Sequence, residues 1–236
     1  MPGQKEVGHM TIRLTFLCAP GGDATRDPLL GDVPLSERSL RIAAAAGPAL
    51  PPHGAAVRAP SIRCSQITDA LGLVAVSEPA LRDLDLGRWC GRTVDDIAAT
   101  EPDGFTSWLT DPDAAPHGGE SVRRLCRRTA DWLSTVAPDS GHTVAITEAA
   151  VIRAALIHAL AAPARAFWHL AVPPLSAVSL TRQGGCWDIR LASVSPREGQ
   201  RMLLSRSGDG CTPAEAHLGG WKPSSSVRET IFAAGR

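Results

Sequence analysis

Residues 11–17, TIRLTFL, form an apolar run rich in β-favouring side chains, and residues 18–22, CAPGG, follow them at once. A buried strand that ends in a Pro/Gly turn is typical of the first unit of an α/β sheet. The chain downstream continues in the same alternating way. We predict two further strands, a β-hairpin and six helices: strands over 55–59 and 143–147, a hairpin of 175–181 with 186–192, and helices over 36–50, 65–71, 93–99, 105–109, 120–136 and 150–161.

Strands that alternate with helices favour a parallel sheet. We therefore expect an α/β fold with three layers, in which a mainly parallel sheet carries helices on both faces. One domain is expected over residues 10–192. A polar flexible tail over 1–9 would precede it, and a Ser/Gly/Pro-rich tail over 193–236, which we expect to be mobile, would follow it.

The charge composition excludes some partners. The chain of 236 residues has 24 basic and 24 acidic residues, so its formal net charge is zero. A chain without excess positive charge has no global electrostatic reason to bind nucleic acid or an acidic membrane surface. It also has no apolar run of 18 residues and no apolar segment of the signal-peptide kind near its start. We expect a cytoplasmic protein whose partner is a small molecule, and the sequence leaves its oligomeric state open.

The cysteines show no metal-binding pattern. No two of them form a CxxC pair, and the histidines lack ligand spacing. Reduced and mostly buried thiols are the expected state of such cysteines in a chain of this size. We predict no metal site and no cofactor. The six positions are Cys18, Cys64, Cys90, Cys126, Cys186 and Cys211.

Five segments place polar residues near the predicted strand ends, where ligands bind in α/β sheets. They are DVPLSE at 32–37, RCSQI at 63–67, LRDLDLGRWCG at 81–91, GGES at 118–121 and TEAAVIRA at 147–154. In this order they resemble the motifs D-x-P-L-T-E, R-A-x-Q-T, L-x-E-x-x-x-G-x-W-E-G, GGES and S-H-G-G-V-I-R-A of the histidine phosphatase (phosphoglycerate mutase-like) superfamily. The resemblance covers about residues 11–192 and implies the fold of that family.

The resemblance also implies a chemistry that this sequence departs from. The family has an R-H-G motif after its first strand, whose histidine is the nucleophile that takes the phosphoryl group. That motif falls on residues 18–22, where Ala19 stands at the nucleophile and Cys18 at the first arginine. Glu148 stands at the family's second histidine. Arg63 is retained at the second arginine and Asp83 at the acid position. The resemblance therefore implies a degenerate member that lacks both catalytic histidines.

The expected pocket charge reinforces this interpretation. One arginine, Arg63, would face Asp83 and Glu148, which gives a net charge of about −1 if both acids ionise. A phosphate dianion would be repelled there by several kcal/mol. We therefore expect that phosphohistidine chemistry is lost and that the protein is a ligand-binding or regulatory pseudoenzyme.

Other hypotheses remain open. Glu148 and Asp83 could carry acid–base catalysis of the isomerase, dehydratase or cyclase type on a neutral or cationic small molecule, because adjacent carboxylates have split pKa values. Glu148 could instead only fill a remnant pocket by pairing with Arg63.

The least favoured hypothesis is residual phosphatase activity through Cys18 or His117. Cys18 is more simply an inert buried thiol, and His117, expected near the pocket mouth, is more simply an exposed loop histidine. Arg63, Cys18, Ala19 and His117 are the expected binding positions.

Overall fold

A computed structural model describes residues 11–21, 31–138 and 141–193, which contain one six-stranded mixed sheet with helices around it. The strand order is β3-β2-β4-β1-β5-β6. The strands are β1 Ile12–Cys18, β2 Ala55–Arg58, β3 Val76–Ser77, β4 His142–Thr147, β5 Ser176–Gln183 and β6 Cys186–Ser193.

The helices start where a Ser or Thr side chain can accept a hydrogen bond from a free backbone N–H. Ser36, Ser61, Thr93 and Ser121 each accept one from the third residue that follows. Such caps satisfy donors that would otherwise have no partner at the helix start. The helices are α1 Glu37–Ala46, α2 Ile62–Ala70, α3 Val94–Thr100, α4 Pro102–Thr110, α5 Val122–Thr135 and α6 Ala149–Ala159.

The pairing of the central strands determines where a site can form. Strands β3, β2, β4 and β1 run parallel, and β5 and β6 are antiparallel additions beside β1. Cys18 pairs with Thr147, and Arg58 pairs with Ile146, so β1, β2 and β4 end at the same edge of the sheet. Residues that follow these strands are therefore brought together.

The core is built from the central strands and the helices packed on them. Phe16 in β1 is fully buried, and its ring lies 6.0 Å from that of Trp132 in α5. Leu14 of β1 and Val144 and Ile146 of β4 are fully buried as well. Apolar side chains on both faces of a strand are what a parallel sheet covered by helices requires.

The structure confirms the predicted α/β class and most of the predicted elements. The hairpin turns at Gly184 and Gly185, whose φ values of +59° and +88° suit glycine. The predicted start of α2 at residue 65 is wrong: the helix begins at Ile62 because Ser61 caps it, and this moves Arg63 into its first turn. The predicted start of α4 at 105 is wrong for a similar reason, since Pro102 suits the first turn of a helix. The short strand β3 was not predicted.

The expected tails, residues 1–9 and 193–236, lie outside the described residues except for Ser193 at the end of β6. Within the described ranges, none of the helices is long and apolar enough to cross a membrane.

The packing of Phe16 leads to a stability prediction. We expect Phe16→Ala to lower the free energy of unfolding by about 3–5 kcal/mol, because it leaves a cavity between the sheet and α5. The matched control is Val74→Ala, since the Val74 side chain is exposed, and we expect it to change the free energy by less than about 0.5 kcal/mol. Denaturant unfolding measures both. Equal effects of the two substitutions would contradict this packing.

Candidate functional site

The ends of β1 and β4 form the floor of the candidate site. Ala19 follows β1, and its backbone N–H donates to the carbonyl of Thr147 at 2.8 Å. Glu148 follows β4 directly and stands at the N-cap of α6. The parallel register therefore brings the predicted positions Cys18, Ala19 and Glu148 to one edge of the sheet.

Arg63 lies in the first turn of α2 and is surrounded by three carboxylates. Its Nη2 lies 3.2 Å from Asp83 Oδ2 and 3.6 Å from Glu148 Oε1. Its Nε lies 3.7 Å from Asp32 Oδ1 but has no hydrogen-bond partner among the described residues. The structure therefore brings together Arg63, Asp83 and Glu148, as the sequence predicted, and adds Asp32.

Asp32 has a structural role that spacing alone did not reveal. Its Oδ2 accepts the backbone N–H of Ile62 at 2.8 Å, and its Oδ1 accepts that of Arg63 at 3.4 Å. These are free N–H groups at the start of α2, and a carboxylate is stabilised there by the helix dipole. Asp32 thus fixes the start of the helix that carries Arg63. The signal that could have found it is its place at the head of the DVPLSE segment.

Glu148 is the most deeply buried acid of the group. Only 5% of its side chain is exposed, and Cys64 Sγ donates to its Oε1 at 3.5 Å. Burial, followed by the nearby charge of Asp83, raises the pKa of Glu148 to about 7, against the attraction of Arg63. The carboxyl of Glu148 therefore exchanges its proton near neutral pH.

Asp83 forms the outer part of the same pair. Its side chain is 36% exposed, and its Oδ1 accepts the backbone N–H of Leu84 at 2.8 Å. Desolvation raises the pKa of Asp83, and the charge of Arg63 opposes this rise. Because Glu148 is the less exposed of the two, we expect it to hold the proton that the pair retains as the pH rises.

Arg153 is a second cation near this group, and the sequence did not assign it to the site. Its guanidinium is buried, its Nε donates to the carbonyl of Leu170 at 2.8 Å, and it lies over the rings of Phe167 and Trp168. Its charge acts on both Cys18 and Asp83. Two arginines therefore oppose three carboxylates, which gives a net charge of about −1 that falls to about zero when Glu148 is protonated.

Cys18 has the environment of an unreactive thiol. Its side chain is buried and its Sγ donates to the carbonyl of Ala19 at 3.4 Å. Burial raises the pKa of Cys18 to about 12, although the charge of Arg153 opposes the rise. A thiol with such a pKa is almost entirely protonated at neutral pH and is a poor nucleophile.

His117 is buried, so the expectation of an exposed loop histidine is wrong. Only 2% of its surface is exposed, and its Nδ1 accepts the backbone N–H of Gly119 at 3.0 Å. Its ring lies 5.1 Å from Trp89 and 6.3 Å from Trp108. Burial lowers the pKa of His117, so the ring is neutral near pH 7. Gly118, with a φ of +77°, and Gly119, which leaves no room for a Cβ beside the carbonyl of Asp85, allow the loop to fold tightly at this point.

The carboxylates of the site are directed at one arginine. Asp32, Asp83 and Glu148 all form ion pairs with Arg63. Among the described residues, no three or more His, Cys, Asp and Glu side chains are grouped so that they could hold a metal ion.

The comparisons with known proteins agree with this architecture. The family described as "Histidine phosphatase superfamily (branch 1)" matches residues 29–194, which is most of the chain. The chain belongs to the histidine phosphatase superfamily. The matched region begins after β1, so residues 18–22 lie outside it. No curated protein is similar enough to be matched.

The chain is similar to solved phosphatase structures, and each match covers nearly the whole length of the phosphatase. A mycobacterial glucosyl-3-phosphoglycerate phosphatase in complex with inorganic phosphate is 25% identical, with 78% of this chain and 98% of its own covered and a TM-score of 0.64. The α-ribazole phosphatase from Shigella flexneri is 17% identical, with 80% and 100% covered and a TM-score of 0.69. A histidine-to-alanine mutant of phosphoserine phosphatase from Entamoeba histolytica, in complex with phosphoserine, is 12% identical, with 78% and 98% covered and a TM-score of 0.67.

The raised pKa of Glu148 predicts how stability depends on pH in this histidine phosphatase family member. The folded chain keeps the Glu148 proton to about pH 7, whereas the unfolded chain releases it near 4.5. This group therefore stabilises the fold fully below about pH 4.5, and its contribution falls as the pH rises to about 7. The loss is of the order of 3 kcal/mol, at about 1.4 kcal/mol per pKa unit.

Glu148→Gln tests this dependence, because glutamine keeps the shape of the protonated acid but cannot ionise. We expect the variant to show a smaller fall in the free energy of unfolding between pH 4.5 and 7 than wild type, because only the contribution of Glu148 is removed and that of Asp83 remains. The matched control is Glu37→Gln, since 94% of the Glu37 side chain is exposed. Denaturant unfolding across this pH range gives the comparison, and identical pH profiles for wild type and Glu148→Gln would refute the shift.

Proposed function

We propose that this histidine phosphatase superfamily member does not carry phosphohistidine chemistry and is a ligand-binding or regulatory pseudoenzyme for a neutral or cationic small molecule. The observation that carries the proposal is the sharing of the Arg63 guanidinium among Asp32, Asp83 and Glu148. In this arrangement the cation is already paired with carboxylates of the chain itself.

The nucleophile is the first argument for lost phosphotransfer. Ala19 follows β1, at the position that the sequence resemblance assigns to the phosphorylated histidine, and alanine has no lone pair with which to attack phosphorus. Residues 18–22 lie outside the region that matches the family. Neighbouring Cys18 is a poor substitute because its pKa is raised to about 12. His117 packs against Trp89 and Trp108, which gives no support to residual phosphatase activity through that residue.

The charge of the site is the second argument. A phosphate dianion beside Arg63 would have to displace Asp83 and Glu148 or approach both carboxylates closely. Removing one partner of a buried ion pair leaves an uncompensated charge and costs several kcal/mol. A neutral ligand avoids this cost, and a ligand with an ammonium group would gain from the partly exposed Asp83 and Asp32.

The proposed location and partners follow from the same observations. The described cysteines are free thiols, as is common in a reducing cytoplasm. The expectation that they are mostly buried is wrong, because Cys18 and Cys64 are buried, Cys126 is half-buried, and Cys90 and Cys186 are exposed. We therefore propose a cytoplasmic protein that binds a small molecule and neither nucleic acid nor membrane, in agreement with its zero net charge.

Inorganic phosphate is the probe that tests this function. At pH 8, where Glu148 is mostly ionised, we expect millimolar phosphate to leave the Tm of wild type unchanged at matched ionic strength. Glu148→Gln should bind phosphate at least about tenfold more tightly than wild type, a gain of about 1.4 kcal/mol, because it removes a like charge next to Arg63. The double variant Glu148→Gln, Arg63→Ala should lose this gain. Thermal shift and calorimetric titration measure the binding, with Glu37→Gln as the control.

A wild-type protein that binds phosphate as tightly as Glu148→Gln, or that hydrolyses p-nitrophenyl phosphate, would overturn the proposal. A positive identification requires a metabolite screen by thermal shift on wild type, Glu148→Gln and Arg63→Ala. A compound that stabilises wild type and neither variant would identify the ligand class.

The pKa of Glu148 favours a second candidate function. A carboxyl group with a pKa of about 7, next to a carboxyl with different exposure, is suited to general acid–base catalysis near neutral pH. The reaction would be an isomerisation, dehydration or ring closure in which Glu148 and Asp83 exchange protons with the substrate. If Glu148→Gln still binds a screened compound but no longer converts it, the protein is an enzyme. If wild type binds the compound and leaves it unconverted, it is a binding module.

A further inference from the structure

The guanidinium of Arg128 in α5 makes an unusually complete set of hydrogen bonds. Only 12% of its side chain is exposed. It pairs with the two carboxylate oxygens of Glu120, with Nε donating to Oε1 at 3.0 Å and Nη2 to Oε2 at 2.6 Å. Such a bidentate pair fixes both the position and the plane of the guanidinium. Glu120, whose side chain is 7% exposed, therefore holds Arg128 in one orientation.

The other donors of Arg128 are directed at the segment that carries Asp83. Nη1 donates to the carbonyls of Ala80 at 2.6 Å and Arg82 at 3.0 Å. Nη2 reaches the backbone carbonyl of Asp83 at 3.4 Å. Ala80 lies in the short 3₁₀ turn Pro79–Leu81, and Arg82 and Asp83 follow this turn outside any strand or helix. Arg128 supplies the hydrogen bonds that regular structure would otherwise give to these carbonyls.

Glu120 secures the same segment from its other end. Its backbone N–H donates to the carbonyl of Asp85 at 2.8 Å. The neighbouring Gly119 lies so close that an added Cβ would collide with the same carbonyl oxygen. The GGES segment and Arg128 therefore hold both sides of Asp83, on residues 80–82 and on residue 85.

We propose that Arg128, held by Glu120, is the positioning residue that fixes Asp83 against Arg63. The sequence predicted neither role, because it indicated only a helix over 120–136 and the GGES segment at 118–121. The inference rests on the proposed function for the importance of Asp83, but it concerns only how the chain holds that side chain. Its test therefore needs no ligand.

The charged and titratable groups near Asp83 come from several elements. Arg63 lies on α2, Glu148 and Arg153 lie at the start and in the middle of α6, and Cys18 ends β1. Arg128 reaches from α5, and its charge lowers the pKa of Asp83 from a distance, since its Nη2 contacts the backbone carbonyl of Asp83 at 3.4 Å. Loss of the charge of Arg128 should therefore raise the pKa of Asp83 further.

Two substitutions separate the charge of Arg128 from its geometry. Arg128→Met removes both, and Arg128→Lys keeps the charge but loses the planar fork. The matched control is Arg124→Met, which changes an exposed arginine of the same helix. The readouts are the pH titration of the Asp83 carboxyl carbon by NMR, assigned with Asp83→Asn, and the exchange rate of the Leu84 amide, whose hydrogen bond ends on Asp83 Oδ1.

We expect Arg128→Met to shift the Asp83 titration to higher pH by several tenths of a unit and to accelerate Leu84 exchange at least tenfold. Arg128→Lys should leave the titration close to that of wild type and still accelerate the exchange. If Arg128→Met does not fold, Arg128→Lys and Glu120→Gln decide the question through Leu84 exchange. Wild-type exchange in both of these, or a titration in a folded Arg128→Met that does not move, would overturn the inference.

These results do not depend on the proposed function. An unchanged Asp83 in the Arg128 variants refutes only the positioning role, even if a ligand is found for the site. Tight phosphate binding by wild type would refute the proposed function and leave the NMR comparison unaffected.

Discussion

The arrangement of the site depends on one buried cation. The first turn of α2 places Arg63 beside Glu148, at the edge of the sheet where β4 ends. A buried guanidinium needs partners there because its desolvation is costly. The chain supplies Asp83 at 3.2 Å, Glu148 at 3.6 Å and Asp32 at 3.7 Å. Each of these acids comes from a different loop, so pairing with Arg63 also ties together segments that are distant in sequence.

The same interaction explains how the residues at the strand ends fit together. Residues 18–21, the described part of the chain after β1, contain no cationic side chain that could extend towards Glu148. A carboxylate at position 148 is then paired with Arg63, lies near the charge of Asp83 and accepts from Cys64 Sγ, and its burial moves its pKa to about 7. The site is therefore a nearly neutral cluster, which supports the proposal that it does not carry out phosphotransfer through histidine, because that reaction requires a positive pocket. Arg128 and Glu120 hold the Asp83 side of this cluster in place, which makes α5 part of the site and not only of the core.

Much of this could be predicted from the sequence because it follows from local patterns. The apolar run before Cys18, the TVAIT strand before Glu148 and the Gly-Gly hairpin each give a strong local signal, and the strand ends then predict which residues meet. The predicted start of α2 differs from the observed start by three residues because the sequence analysis did not recognise the cap at Ser61. The prediction therefore placed Arg63 before the helix and not in its first turn.

Asp32, Arg153 and Arg128 were missed for a different reason. Their roles depend on contacts with α2, with Leu170 and with residues 80–83, and tertiary packing sets such contacts. The burial of His117 was missed likewise, since only the folded loop shows the tryptophans that cover it.

The central claim is that no side chain of this chain accepts a phosphoryl group, and the most direct test is a search for that covalent adduct. Purified protein would be incubated with p-nitrophenyl phosphate, quenched at alkaline pH, where phosphohistidine survives, and examined by intact-mass and peptide mass spectrometry. The account predicts unmodified protein at every time point and no phosphorylated peptide that contains Cys18, Ala19 or His117. A phosphorylated histidine or cysteine that forms and decays during turnover would contradict it.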